Sequence, residues 1–242
     1  MRGTTGLWLL LLLGCSAGSA AAARIPVTTC GQVLRGHGEL TGDLDCGLYA
    51  GTVAVTVRGK LDLNGFTITG HPGLDAINCD VKCKVRGPGR ITGAHNGVSQ
   101  VRNSVAVIVR VRDLTIDGNS GAAVDGTYVQ VKNSIVTNNG NPNPPVESHF
   151  PYTGGVTGSR VKILGSTLTN NTNFGVNSAD IRLIRSTVTG NGTNPGCLPQ
   201  SQNLGCADIA TLNFPRVTRT STCGTSRRTA ALNESWGVCT DD

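Results

Sequence analysis

Val161-Lys-Ile-Leu-Gly-Ser-Thr-Leu-Thr-Asn-Asn171 is followed, twenty residues on, by Ile181-Arg-Leu-Ile-Arg-Ser-Thr-Val-Thr-Gly-Asn191. The same text stands upstream in Val109-Arg-Val-Arg-Asp-Leu-Thr-Ile-Asp-Gly-Asn119 and Val129-Gln-Val-Lys-Asn-Ser-Ile-Val-Thr-Asn-Asn139, again at a twenty-residue step. Self-similarity at such a period marks a repeat array, in which each unit buries its apolar face against its neighbours. That constraint precedes any single motif.

Within a repeat the apolar residues alternate, as a strand with one buried face requires. Aligning the repeats on a central apolar residue gives Ile68, Ile91, Ile116, Val136, Leu168, Val188 and Val217, about seven coils. Counting back seven and five from that residue predicts inward pairs such as Leu61 and Leu63, Val109 and Val111, Val129 and Val131, Val161 and Ile163, Ile181 and Leu183, Ala210 and Leu212. Two residues past the centre come Gly70, Gly93, Gly118, Asn138, Asn170 and Gly190, the residue types that tolerate a left-handed corner. One step further, Asn119, Asn139, Asn171 and Asn191 align as an expected ladder of stacked amides. The two longest steps contain insertions, at Asn141 to Thr153 and around Cys197 and Cys206.

A strand, a corner and another strand every twenty or so residues leave no room for a helix, and aromatics at 4% with 33 glycines suit a thin β core. The expected fold is all-β, a single parallel β-helix of about seven coils with disulfide-stapled caps. A leucine-rich horseshoe is the competing solenoid, but its Leu-x-x-Leu-x-Leu text is absent. Residues 1–23 read as a secretory signal, with Arg2, an apolar run from Leu7 to Leu13, and small residues up to Ala23. A lipoprotein signal ending at residue 14, with a lipid on Cys15 as the only membrane attachment, is the alternative. Residues 24–52 are expected as an N-terminal cap, 53–220 as the β-helix, and 221–242 as a C-terminal cap closed by a disulfide.

Eight cysteines remain outside the signal: Cys30, Cys46, Cys79, Cys83, Cys197, Cys206, Cys223 and Cys239. In an exported chain they read as four disulfides, with pairing in sequence order the economical expectation because only near neighbours meet in a solenoid. Removing Arg2 leaves 20 basic against 15 acidic side chains, a mild positive balance that suits an acidic polymer as partner.

The rungs resemble those of right-handed parallel β-helix repeat proteins of the pectin-lyase-like superfamily. Leu61-Asp-Leu-Asn-Gly-Phe-Thr-Ile-Thr-Gly70 is similar to a first rung of many members, and the framing by Thr29-Cys-Gly31 and Ser235-Trp-Gly-Val-Cys239 looks like a secreted bacterial subgroup. Right-handed winding is what the resemblance implies, as is a catalytic class comprising pectate lyases, polygalacturonases and uronate epimerases. Polygalacturonase-like hydrolysis needs two carboxylates across the scissile bond, and the only adjacent Asp pair is Asp241-Asp242. Gly36-His37-Gly38 and Arg160-Val161-Lys162 match family motifs in letters but lie far apart in sequence.

A lyase or epimerase acting on uronates needs a base and a group that neutralises the carboxylate, often Ca²⁺ held by Asp or Glu. The candidate catalytic cluster is Arg110, Arg112, Asp113 and Asp117, for which solvated surface ion pairs are the plainer account. No metal site is expected otherwise, since His37, His71 and His95 share no register. The outward position between the stacked core residues reads Asp62, Lys84, Arg110, Gln130, Lys162, Arg182 and Thr211, a mostly basic column that a polyanion would relieve. Binding candidates are therefore Lys84, Arg110, Lys162 and Arg182. The insertion adds Glu147, His149, Phe150 and Tyr152, aromatics on a projecting loop that can stack on a sugar. Nucleic acid fits less well, because aromatics are not interleaved with the cations. The sequence thus points to a secreted or surface β-helix protein binding an extracellular, acidic polysaccharide along its outer strand face. A polysaccharide lyase or uronate epimerase and a structural or adhesive rod stay open as alternatives.

Overall fold

The computed structural model describes residues 23–49, 51–101, 107–140, 154–192, 207–228 and 234–240. Among them there is no helix; the strands form two parallel sheets, one of thirteen strands and one of eight. The chain alternates between the sheets. Ala122–Lys132 lies in the large sheet and Ile135–Thr137 in the small one; then come Gly154–Leu164 and Thr167–Thr169, and then Phe174–Ile184 and Thr187–Thr189. Each turn stacks in register on the last, so Val131 meets Ile163 and Ile163 meets Leu183, while Val136 meets Leu168 and Leu168 meets Val188. All six are fully buried, which is why the β-branched and leucine positions recur at period two.

The long strands of the large sheet carry two halves. Upstream these halves are separate strands, Ile77–Cys79 and Lys82–Arg86 in one turn, Val98–Gln100 and Ile108–Arg112 in the next. Downstream they join across Gly126 and Gly158. A Cβ on Gly158 would stand 2.5 Å from the carbonyl oxygen of Gly126, so the two backbones approach too closely there for a side chain.

The expected corner holds at Gly93, Gly118, Asn138, Asn170 and Gly190, all at positive φ between 55° and 72°. A second corner, between the large sheet and the small one, runs through Asp113, Asn133, Gly165 and Arg185 at φ of 48° to 57°. The Asn ladder is present: Asn119 Nδ2 donates to Asn139 Oδ1 at 2.8 Å, Asn139 Nδ2 to Asn171 Oδ1 at 3.0 Å, and Asn171 Nδ2 to Asn191 Oδ1 at 2.8 Å. A serine ladder runs parallel to it, each hydroxyl accepting the backbone N–H one coil back, from Leu114 to Ser134, Ser134 to Ser166, Ser166 to Ser186 and Ser186 to Ser221. Together the ladders satisfy backbone groups at corners where no strand partner can reach.

Two alignments shift relative to the sequence reading. Leu61 pairs with Val85, and Val85's other neighbour Arg86 pairs with Asp62, because the first turn spends two extra residues between its sheets. At the far end Val217 pairs with Leu183 in the large sheet, and the residue beneath Val188 is Cys223. Ala210 accordingly pairs with Asn177, and Leu212 is half exposed. The segment expected as a cap adds Ile25–Val27 and Gln32–Leu40 to the large sheet and Leu44–Asp45 to the small one. Disulfides join Cys30 to Cys46, Cys79 to Cys83 and Cys223 to Cys239. Cys197 and Cys206 lie outside the described residues.

Candidate functional site: a basic strand face and a carboxylate pair

Residues 82–86 alternate exposed and buried, so Lys82, Lys84 and Arg86 face out while Cys83 and Val85 face the core. Register carries this face across the second half of the large sheet. One outward column runs His37, Lys60, Lys84, Arg110, Gln130, Lys162, Arg182 and Arg216, each paired with the next. Beside it, two residues along each strand, Arg86, Arg112 and Lys132 are likewise consecutive partners.

The four predicted binding cations, Lys84, Arg110, Lys162 and Arg182, therefore share one column, and two of its expected members change. Lys60 takes the place of Asp62, and Arg216 that of Thr211. Thr211 is fully buried, and its hydroxyl lies 3.0 Å from the Asn213 carbonyl and 3.2 Å from that of Ala179, to one of which it donates. Both changes follow from the register shifts above, and both make the column more basic. Among the described residues, Lys84, Arg110, Lys162, Arg182 and Arg216 have no carboxylate partner, whereas Lys60 donates to Asp62 Oδ2 at 2.7 Å.

His37, Lys60 and Asp62 meet at the N-terminal end of this column. His37 Nε2 lies 2.8 Å from Asp62 Oδ2 and 3.0 Å from Lys60 Nζ. Burial alone would raise the Asp62 carboxyl, but hydrogen bonds from Lys60 and His37 outweigh it and hold it below its ordinary value. Asp62 Oδ1 is buried without a hydrogen-bond partner.

The four catalytic candidates do not converge. Arg110 and Arg112 face out from the large sheet. Asp113 occupies the second corner, where it accepts from Arg112 Nε at 2.6 Å and from Asn133 Nδ2 at 3.1 Å. Asp117 belongs to the small sheet, where Arg90 grips both its oxygens at 2.8 and 2.7 Å. Glu147, His149, Phe150 and Tyr152 lie outside the described residues.

The structure instead assembles a carboxylate pair fifty residues apart in sequence, on the first half of the large sheet. Asp75, ahead of strand Ile77–Cys79, accepts from Asn96 Nδ2 at 2.8 Å and Ser99 Oγ at 2.5 Å. Ser99 Oγ also lies 2.7 Å from Asn78 Oδ1. One hydroxyl proton serves only one of these acceptors. The other contact needs a proton from the Asp75 carboxyl, or an Asn78 amide turned to present its NH₂. Asp125 stands on Ala122–Lys132, separated from Ile77–Cys79 by the strand Val98–Gln100 that pairs with both; burial first, and the charge of Asp75 second, push its carboxyl up to about 6 against a smaller lowering by the Gly126 amide. The column continues through Thr157 and Asn177, both buried although they point outward. A carboxyl that keeps its proton up to about 6 beside a second carboxyl can exchange that proton with a bound ligand. Pairs of this kind arise only when the strands are in register, so no local motif announced it.

Among the described residues, no group of three or more His, Cys, Asp or Glu side chains is arranged to hold a metal ion. No helix among them is long and apolar enough to cross a membrane. The three disulfides point to an oxidising environment. Comparison of the chain with protein-family models, with curated proteins and with solved structures finds no match.

Proposed function

We propose that this chain is an exported right-handed parallel β-helix of the pectin-lyase-like kind that binds an acidic extracellular polysaccharide along the basic half of its large sheet. The observation that carries the reading is the column Lys84, Arg110, Lys162, Arg182 and Arg216. It comprises five cations without carboxylate partners at a strand spacing of about 4.8 Å, interrupted once by Gln130. Like charges directly opposite on neighbouring strands destabilise a sheet, and a linear polyanion laid across the strands removes that cost. The flanking Arg86, Arg112 and Lys132 widen the same positive band.

The test is retention on an immobilised linear uronan at low salt, wild type against Lys162→Gln/Arg182→Gln/Arg216→Gln. Wild-type retention that is abolished by salt and lost in the triple variant supports the reading. A wild-type protein that passes through at low salt overturns it and leaves a structural rod.

A second reading, chemistry on the bound glycan, is favoured by Asp75 and Asp125. In hydrolysis Asp125, which holds its proton to higher pH than an ordinary carboxyl, would donate to the leaving oxygen, and Asp75 would be the second carboxyl of the pair. A lyase or epimerase would instead use a base beside the column. New ultraviolet absorbance on incubation with uronans signals elimination, and new reducing ends without absorbance signal hydrolysis. Neither product from any uronan removes the catalytic reading and leaves binding intact.

A further inference from the structure

Phe, Trp and Tyr together make up 4% of the chain, and among the described residues the exposed aromatics are Tyr49, Tyr128 and Phe214. Two of these three flank the basic column. Tyr128 stands two residues before Gln130 on the same strand and so sits beside the column, and Phe214 lies two residues ahead of Arg216, in the segment that leads into the short strand Arg216–Val217. Strand pairing sets Tyr128 against Arg160 and Arg160 against Asp180. The bond from Asn213 N to the Ala179 carbonyl at 3.1 Å then sets Asn213 opposite Asp180, with Phe214 the next residue along the chain.

Both rings are held rather than loose. The Arg160 guanidinium lies 5.5 Å from the Tyr128 ring centre and pairs with Asp180 at 3.3 Å. Phe214 meets the Trp236 ring edge-on at 5.6 Å and 85°. Trp236 is itself fixed, its Nε1 donating to the Arg227 carbonyl at 3.2 Å and the Arg228 guanidinium 4.9 Å from its ring. Phe214 nevertheless keeps 61% of its surface in water.

The geometry points to Tyr128 and Phe214 as two sugar-stacking positions on the polyanion track, which make it selective for an acidic polysaccharide over other polyanions. This rests on the binding reading above and deepens it. Three strand steps separate the rings, about 14 Å along the stack at ~4.8 Å per step, with Lys162 and Arg182 in the column between them. A linear acidic glycan offers both groups the arrangement calls for, carboxylates for the column and flat C–H faces for the rings. A single-stranded nucleic acid stacks successive bases on successive aromatics, and here two of the four strands spanned carry Arg160 and Asp180 instead.

The experiment titrates a linear uronan oligomer, inorganic polyphosphate and single-stranded DNA into three proteins at low salt. These are the wild type, Tyr128→Ala/Phe214→Ala and Lys162→Gln/Arg182→Gln. The ring variant is expected to lose uronan affinity roughly tenfold per ring, a tenfold change being about 1.4 kcal/mol, while its affinity for polyphosphate, which has no ring face, stays unchanged. The cation variant is expected to lose both. Tyr128→Phe/Phe214→Tyr should restore uronan binding, and unchanged melting of every variant excludes a folding defect. A ring variant that binds uronan as the wild type does, or that weakens uronan and polyphosphate alike, or that loses DNA as much as uronan, overturns the assignment. If the cation variant fails on both ligands while the ring variant fails on neither, the stacking positions fall and the basic track stands. A wild type that binds none of the three fells both.

Discussion

Asn191 directs both its backbone N–H and its side-chain Nδ2 at one oxygen of Asp208, each at 2.8 Å. The Asn ladder therefore ends on a carboxylate. The other oxygen of Asp208 accepts from the Thr225 backbone N–H at 2.9 Å. An amide at this place could accept on one side only, and its NH₂ would face a second donor. Asp208 is 3% exposed, so water cannot relieve the mismatch. Asp208→Asn should destabilise the protein by about 1 to 3 kcal/mol, the range for leaving a buried polar group unsatisfied. Asn139→Ala, inside the ladder, should cost at least as much, because it strands partners on both neighbouring coils. Denaturant unfolding of both variants checks this, and an unperturbed midpoint for either contradicts it.

The second corner gives a prediction of opposite sign. Arg185 adopts φ of 49° where the preceding coil has Gly165 at 54°, and a left-handed conformation costs a non-glycine residue roughly 1 to 2 kcal/mol. Arg185→Gly should be neutral or stabilising by about 0.5 to 1 kcal/mol, part of the relief being offset by glycine's greater chain entropy. Gly165→Val should destabilise, since its Cβ would stand 2.9 Å from Asn133 Oδ1. Thermal melting of the pair reads the sign directly.

The repeat text made the stacked core, the first corner and the Asn ladder legible, because each depends on residues at a fixed distance from one another in sequence. What it hid depends on coil length. The two extra residues after Leu61 shifted Asp62 out of the basic column and Lys60 into it, and because Cys223 rather than Val217 lies beneath Val188, Arg216 takes the place assigned to Thr211. The second corner escaped notice because Asp113 and Arg185 share no residue type with Gly165. Asp75 and Asp125 were invisible for a different reason. They sit on different coils at unlike positions in the repeat, and only the pairing of Val124 with Val98 and of Val98 with Ile77 brings their strands together.

That carboxyl pair predicts a pH dependence. Asp125 is raised from 3.8 to about 6 in the folded protein, so the folded state binds its proton more tightly than the unfolded chain does. The stability this confers is fully present below about 4 and is lost as pH rises through 6. The whole change is on the order of 3 kcal/mol at 1.36 kcal/mol per pKa unit. Asp125→Asn should remove it. The difference in unfolding free energy, variant minus wild type, should climb between pH 4 and 7 and then level off. A difference that stays flat across that range would show that Asp125 titrates normally. Taking the difference cancels Glu39 and Asp62, whose carboxyls are lowered by Arg24 and by Lys60 with His37 and so act in the opposite sense.

The basic column makes its own prediction for the free protein. Arg110 faces Lys84, and Arg182 faces both Lys162 and Arg216, across single strand spacings. Exposed charges at that range repel through water and are screened over about 10 Å at 0.1 M salt. The wild type should therefore melt at a higher temperature as sodium chloride rises from about 10 to 300 mM. Arg182→Gln alone removes two of the repulsive contacts. At low salt it should equal or exceed the wild type, by up to about 1 kcal/mol on the scale of cross-strand pairs. At high salt the two should converge. A variant that melts lower than the wild type at low salt would mean that Arg182 contributes packing along its stem rather than net repulsion. The free column would then not be a source of strain for a polyanion to relieve.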